Sequence, residues 1–253
     1  MNSIMTVDLE YDWDSDKTES WETSLNKLLD FFDNNKIKAT FFVVANLIDK
    51  YEDKVKEISK KHEIASHSYS HKNLNSLSLK EIEKEVFLSK KKIESLKIKC
   101  FGFRAPFFVK NPSLFKFLEK YDYKYDSSFC PSIFPGRYFN ISSKKIHFIS
   151  DKLLEIPVST FKFFKIPFSL SYSRLIYPFS LWSLPKEPST FYLHPCEFLN
   201  KKPGKEISFF VKKLYSRNSG DHAWKVFDNI LYKYDTKFIT CSDFIMENYS
   251  YLI

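Results

Sequence analysis

Glycine is scarce in this chain, with four among 253 residues, which excludes a collagen-like repeat. Cys100, Cys130, Cys196 and Cys241 form no CxxC pair, so neither a zinc ribbon nor a thioredoxin-type motif is present and four free thiols are expected. No apolar run approaches the ~20 residues that cross a bilayer. The opening MNSIMTVDLEYDWD soon turns acidic and has no basic stretch ahead of an apolar one, unlike a secretory signal. There is no Gly/Ser linker, composition break or internal repeat, and no RNP, zinc-finger or helix-turn-helix pattern. These absences predict a single domain spanning 1–253, no nucleic-acid partner, and a cytoplasmic location that leaves peripheral contact with the inner face of the membrane open.

What the chain does have is aromatic surface and charge. Aromatics make up 18% of it, ample material for a core, and the net charge is +8. A lysine-rich solvated surface explains such a total as readily as an anionic partner does. Placement says more than the total. Residues 1–33 carry nine acids against Lys17 and Lys27, whereas residues 160–218 carry ten bases against Glu187, Glu197 and Glu206.

Strand and helix patterns alternate along the chain. Strands are predicted at Ser3–Leu9, Lys38–Ala45, Glu63–Ser66, Cys100–Arg104, Glu155–Ser159, Ser189–His194 and Lys237–Thr240. Helices are predicted near 21–35, 47–61, 78–95, 112–120, 204–216 and 222–233. Alternation of this kind implies a parallel α/β sheet or barrel, with functional residues at the C-terminal ends of the strands. Residues 160–188 fit neither period; their aromatics interleave with Lys and Arg, and they read as an irregular excursion, either packing over the domain or meeting a substrate or headgroup.

The chemistry concentrates in a few places. His67 and His71, two of only six histidines, stand i,i+4 just after a predicted strand; on a helical turn they would face one metal ion, or else make capping or surface contacts. Two imidazoles need an anionic companion, and Asp8 and Glu10, two apart at the end of the first strand, point the same way. One could ligate while the other acts as general base, with Asp12 a rival ligand and Asp14 and Asp16 solvated. Arg104 and His194 end two further predicted strands.

Five segments in order resemble the polysaccharide deacetylases with a NodB-type homology domain, carbohydrate esterase family 4: Thr6–Glu10, His62–His71, Phe103–Phe107, Tyr125–Ser128 and Leu193–Pro195, with Ala39–Val43 similar to the second-strand signature. The resemblance implies a distorted barrel of seven strand-helix units. It implies Asp8 as general base, His67 and His71 as metal ligands, Arg104 orienting Asp8, His194 as general acid, Asp126 holding His194, and the Phe107 N–H facing an oxyanion. Glu10 fills the third ligand position, where the family usually has Asp. Phe129 stands in place of the usual Trp. Tyr69, Phe108, Arg174 and Tyr177 are the candidate substrate contacts. Val7–Glu10, Glu155–Ser159 and Tyr192–Glu197 are similar to the branch found in exopolysaccharide and surface-glycan assembly.

The expected activity is divalent-metal-dependent hydrolysis, most simply with Zn2+, of an N-acetyl group on an amino sugar of a glycan or a phosphate-linked glycan intermediate. Deformylation of a lipid-phosphate-linked formamido sugar is the alternative within the same chemistry. A metal-free sugar-binding module on the same fold is the alternative of another class.

Overall fold

The computed structural model describes residues 2–13, 15–109, 111–134, 138–139, 145–163, 165–185, 188–200, 212–213 and 216–253. Its strands are β1 Ser3–Leu9, β2 Thr40–Val43, β3 Glu63–Ser66, β4 Gly102–Phe103, β5 Tyr125–Asp126, β6 Ile133–Phe134, β7 Tyr138–Phe139, β8 His147–Ser150, β9 Leu153–Glu155, β10 Thr190–Leu193 and β11 Phe238–Ile239. The helices are α1 Glu19–Glu22, α2 Ser24–Asn34, α3 Ile48–Ser59, α4 Leu79–Glu94, α5 Pro112–Lys120, α6 Leu170–Ile176, α7 Asp221–Tyr234 and α8 Cys241–Asn248.

Seven strands run parallel in the order β10-β1-β2-β3-β4-β5-β9, and β8 adds an antiparallel edge to β9. β11 joins the foot of β1 in parallel, and β6 and β7 form a separate hairpin. Past β9 the chain returns to β10: the Ser159 N–H donates to the Thr190 carbonyl at 3.1 Å, and the Thr190 N–H donates to Ser159 Oγ at 3.0 Å. The sheet therefore curls into a distorted barrel of the expected kind. Among the described residues no helix is long and apolar enough to cross a membrane.

The sequence explains which face does what. Every residue of β1 and β2 is buried, as in a parallel sheet covered on both sides. Met5, Val7, Phe41, Val43, Ile64 and Phe103 join the large core shared with the helices. Ile4, Phe42, Ala65, Tyr125 and Leu154 fill the barrel interior together with α8. Period-two alternation puts Thr6 and Asp8 on the face of Ile4, and His67 on the face of Ala65. A Cβ at Gly102 would collide with the Tyr125 ring, so the small residue there admits a bulky interior side chain.

Several expectations shift. The helix foreseen over 21–35 is broken at Thr23 into α1 and α2. The strand foreseen at Glu155–Ser159 lies earlier, as β9, and α8 follows β11 unforeseen. The excursion over 160–188 is not wholly irregular: α6 sits within it, N-capped by Ser169, with Leu170 through Arg174 all buried. A short helix enclosed on every side has no polar face, so its sequence carries no amphipathic period. The helix foreseen near 204–216 lies almost entirely outside the described residues.

Candidate functional site

The C-terminal ends of β1, β3, β4 and β10 carry the groups that meet at the barrel mouth. Asp8 is buried in β1. Its Oδ1 accepts from Arg104 Nη1 at 2.6 Å, and its Oδ2 lies 3.9 Å from His194 Nε2. One carboxylate oxygen is thus anchored and the other faces the mouth.

Arg104, just past β4, is fully buried and each nitrogen has a partner. Nη1 also donates to Thr6 Oγ1 at 3.0 Å, Nη2 to Ser127 Oγ at 2.8 Å, and Nε to the Ser127 carbonyl at 3.1 Å. Its guanidinium carbon stacks 4.1 Å over the Phe42 ring. A buried charge with a complete set of partners in a fixed fork keeps Asp8 in one orientation.

Glu10 Oε2 lies 3.1 Å from His67 Nε2 and 2.6 Å from His71 Nε2, and its Oε1 lies 3.6 Å from His194 Nε2. One ligand atom from each of Glu10, His67 and His71 falls within 4.8 Å of the others. His67 Nδ1 is 2.8 Å from the Arg104 carbonyl, a contact that makes Nδ1 the donor and turns the Nε2 lone pair toward Glu10 and His71. Two imidazole nitrogens and one carboxylate oxygen gathered at one point are a donor set that suits a zinc-like divalent ion and leaves positions open. Burial by itself would raise the Glu10 carboxyl; the facing His71, His194 and His67 overcome it and hold it well below the usual carboxylate range.

The His67–His71 segment is a loop, not the helical turn that its spacing suggested. Ser68 and His71 adopt left-handed backbone conformations, φ 62° and 59°. The loop is held from beneath by Glu85 of α4: Oε2 accepts from the N–H groups of Tyr69 at 2.9 Å and Ser70 at 2.8 Å, and Oε1 from Ser70 Oγ at 2.5 Å. Sequence reasoning missed Glu85. The available signal was a carboxylate among Ile82, Val86, Ser89 and Ile93 on the buried side of an amphipathic helix.

Asp12 is not with the histidines. It is buried under the loop after β1, where its carboxylate accepts from the Ser20 hydroxyl and, at 3.3 Å, from the Ser20 N–H. Burial raises its pKa.

Asp126 does not hold His194 either. It is buried in β5, where Oδ1 accepts from Ser128 Oγ at 2.6 Å, and Glu155 is its neighbour in register on β9. Burial pushes Asp126 up to about 6, and burial followed by the Asp126 charge pushes Glu155 well above its ordinary value. The partner of His194 is Glu197: Oε1 lies 3.2 Å from His194 Nδ1 and accepts from the His194 N–H at 3.0 Å. His194-Pro-Cys-Glu197 builds this contact locally, with Pro at the first position of a short 3-10 helix and Glu reaching back from the third. Burial would push the His194 imidazole down, but the carboxylates of Glu10, Glu197 and Asp8 lift it to about 9.

The expected substrate contacts divide. Arg174 is fully buried; Nε donates to Glu197 Oε2 at 3.0 Å, Nη2 lies 2.9 Å from the same oxygen, and Nη1 donates to the Arg217 carbonyl at 2.8 Å. It supports Glu197 and is not a surface base. Tyr177 receives a hydrogen bond from Asn229 of α7 at 3.0 Å, and Phe108 is buried against Tyr192 below the mouth. Tyr69 is half-buried on the histidine loop. Phe107 is exposed at the rim with φ 60°, its ring centroid 5.0 Å from that of His71. Left-handed backbone at a phenylalanine costs about 1–2 kcal/mol, and such strain is commonest at functional sites.

The family model described as polysaccharide deacetylase matches residues 5–125, a stretch that includes Asp8, Glu10, His67, His71 and Arg104. That stretch belongs to the polysaccharide deacetylase family. Asp126, His194 and Glu197 lie beyond the match. Among curated protein sequences no relative matches the chain. Three solved structures share the fold. A Mycobacterium smegmatis protein described as a polysaccharide deacetylase is 17% identical with a TM-score of 0.65, over 99% of this chain and 92% of its own. A family 4 carbohydrate esterase from Bacillus subtilis is 15% identical with a TM-score of 0.58, over 97% and 81%. A CE4 family pseudoenzyme from Bacillus anthracis is 14% identical with a TM-score of 0.59; 96% of this chain corresponds to only 64% of that one. Active and inactive proteins thus occupy one polysaccharide deacetylase fold, and activity has to be argued from the residues of the site.

Proposed function

We propose that the chain is a divalent-metal-dependent de-N-acetylase acting on an amino sugar of a glycan or glycan precursor. The observation that carries this reading is the convergence of Glu10, His67 and His71 within 4.8 Å beside an acid-base pair, Asp8 Oδ2 and His194 Nε2, 3.9 Å apart. A metal held by that triad, most simply zinc, would supply Lewis acidity to the amide carbonyl and to the attacking water.

The remaining work falls to the chain's own side chains. Asp8, held through Oδ1 by Arg104, takes the proton from water at Oδ2. His194, held at Nδ1 by Glu197, presents Nε2 to the departing nitrogen and protonates it. Protonation matters because an amine leaves an amide badly as an anion, so the reaction needs an acid as well as a base. The exposed rim at Phe107 supports its backbone N–H as a donor to the developing oxyanion.

The test is product release from acetamido and formamido versions of candidate sugars, read as acetate against formate after metal stripping and add-back. Acetate release restored by zinc is expected, and Asp8→Asn and His194→Ala should each lower turnover about 10²- to 10⁴-fold. Formate alone would move the reading to a deformylase. The Bacillus anthracis neighbour motivates one reading of another class, a sugar-binding module without turnover. Glycan binding with neither product, in a protein that takes up no zinc, would establish that reading and overturn ours.

A further inference from the structure

The 160–188 excursion displays three large aromatic side chains to solvent. Phe163, Phe179 and Trp182 are 66%, 70% and 83% exposed, and they belong to one tip. Phe179 and Trp182 open and close a 3-10 turn, in which residues three apart eclipse, so both rings leave on the same side while Ser180 is buried between them. Phe163 joins them through Ser183, the residue after Trp182. The Lys162 N–H donates to the Ser183 carbonyl at 2.7 Å, and the Phe163 N–H to Ser183 Oγ at 3.0 Å. The residues flanking this stretch are tied as well: the Phe161 N–H donates to the Ile166 carbonyl at 3.1 Å, and the Lys165 carbonyl accepts from the Ile133 N–H at 2.7 Å. Three large rings are displayed to water on a tied framework, so ordering cost is already met before anything binds.

We propose that this tip docks on an anionic lipid surface. Exposed Lys162 and Lys165 flank the rings, and residues 160–185 contain no Asp or Glu. Trp and Phe insert at the headgroup and acyl boundary, and neighbouring lysines add attraction to anionic lipid. The same residues contain no Asn or Gln, so the tip lacks the amide and carboxylate groups that a sugar site uses to fix hydroxyls. A symmetric contact between two copies would set lysines against lysines. The proposal is independent of the deacetylase reading and needs no turnover to be tested.

The experiment is co-sedimentation of the protein with phosphatidylcholine vesicles made with and without phosphatidylglycerol. Wild type should pellet with the anionic vesicles and lose binding as salt rises. Lys162→Gln/Lys165→Gln should weaken that binding roughly tenfold or more. Phe163→Ser/Phe179→Ser/Trp182→Ser should abolish it while circular dichroism and thermal unfolding stay at wild-type values. Wild type that stays in the supernatant, or a triple variant that pellets as wild type does, overturns the proposal. So does a wild-type dimer that the triple variant converts to monomer without any vesicle binding, or tryptophan fluorescence that responds to N-acetylglucosamine oligomers and not to vesicles.

Discussion

The two halves of the candidate site are held by different means. In the first half, from β1 to Arg104, a buried charge pair, Asp8–Arg104, is reinforced by contacts to backbone: His67 to the Arg104 carbonyl, Arg104 to the Ser127 carbonyl, and Glu85 to two N–H groups. In the second half His194 is fixed by Glu197, and Glu197 by the guanidinium of Arg174, a chain of charges reaching into the excursion. Backbone contacts survive most substitutions nearby. A buried chain of charges fails when one member is removed, because the remaining member is left without its counter-charge. The family model covers only the first half.

The largest effect should therefore come from Arg174→Met. It leaves the buried Glu197 with His194 alone as counter-charge, and breaking a buried pair in this way typically costs about 3–5 kcal/mol. Urea unfolding should show the loss, and Arg174→Met/Glu197→Gln, in which both charges are removed, should recover much of it. Glu197→Gln alone keeps a side-chain acceptor but not the charge, and should lower turnover about 10- to 100-fold with substrate binding little changed. If Arg174→Met is as stable as wild type, the second half is not held by charge and the contrast fails.

Legibility follows the same division. Asp8, Glu10, His67, His71, Arg104 and His194 stand at or just past strand ends where alternation and spacing could point to them, and the structure brings them together. Asp126 and Arg174 were misjudged because burial and partner choice depend on contacts distant in the chain, which no local period encodes. Arg174 looked like a free base in a basic, aromatic segment; α6 turns it inward. Glu197 was visible as the end of His-Pro-Cys-Glu, and a capping box would have been the clue. Glu85 was visible as a charge on an apolar stripe. The α/β architecture was legible because strand and helix patterns alternate, and the barrel through the motif resemblance, whereas the two-residue β5 carries no readable period and was not foreseen.

The contrast also predicts where the first half is sensitive to acid. His62, at the foot of β3, is buried between Phe32 and Phe41, with Nδ1 accepting from the Ala39 N–H at 3.3 Å. Burial pushes its pKa down from 6.5 to about 4. The unfolded chain then binds an extra proton between those values, so this contribution is complete above about pH 6.5 and declines as pH falls toward 4. The loss by pH 4 is roughly 2–3 kcal/mol. His62→Gln keeps an acceptor for Ala39 without titrating there, and urea midpoints at pH 7.5 and 4.5 should converge relative to wild type. An unchanged acid slope would locate the sensitivity elsewhere.

Glu85 tests whether the first half is as sturdy as the comparison asserts. Its carboxylate is the common acceptor for Tyr69, Ser70 and the Ser70 hydroxyl, and it lies beneath a loop with left-handed residues at Ser68 and His71. A loop in that state stays put only while its surroundings over-determine it. Glu85→Ala should leave the barrel folded but free His71 from its aim at Glu10, weakening zinc binding about 10- to 100-fold by competition with a chromogenic chelator, as for other supports behind a metal ligand. Glu85→Gln keeps an acceptor oxygen for the two N–H groups and should recover most of that affinity. Zinc binding unchanged in Glu85→Ala would mean that the strands alone aim the histidines, and the first half would then be sturdier still. A loss as deep as that from removing His71 itself would mean that one carboxylate carries the loop, and the two halves would differ less than their bonding suggests.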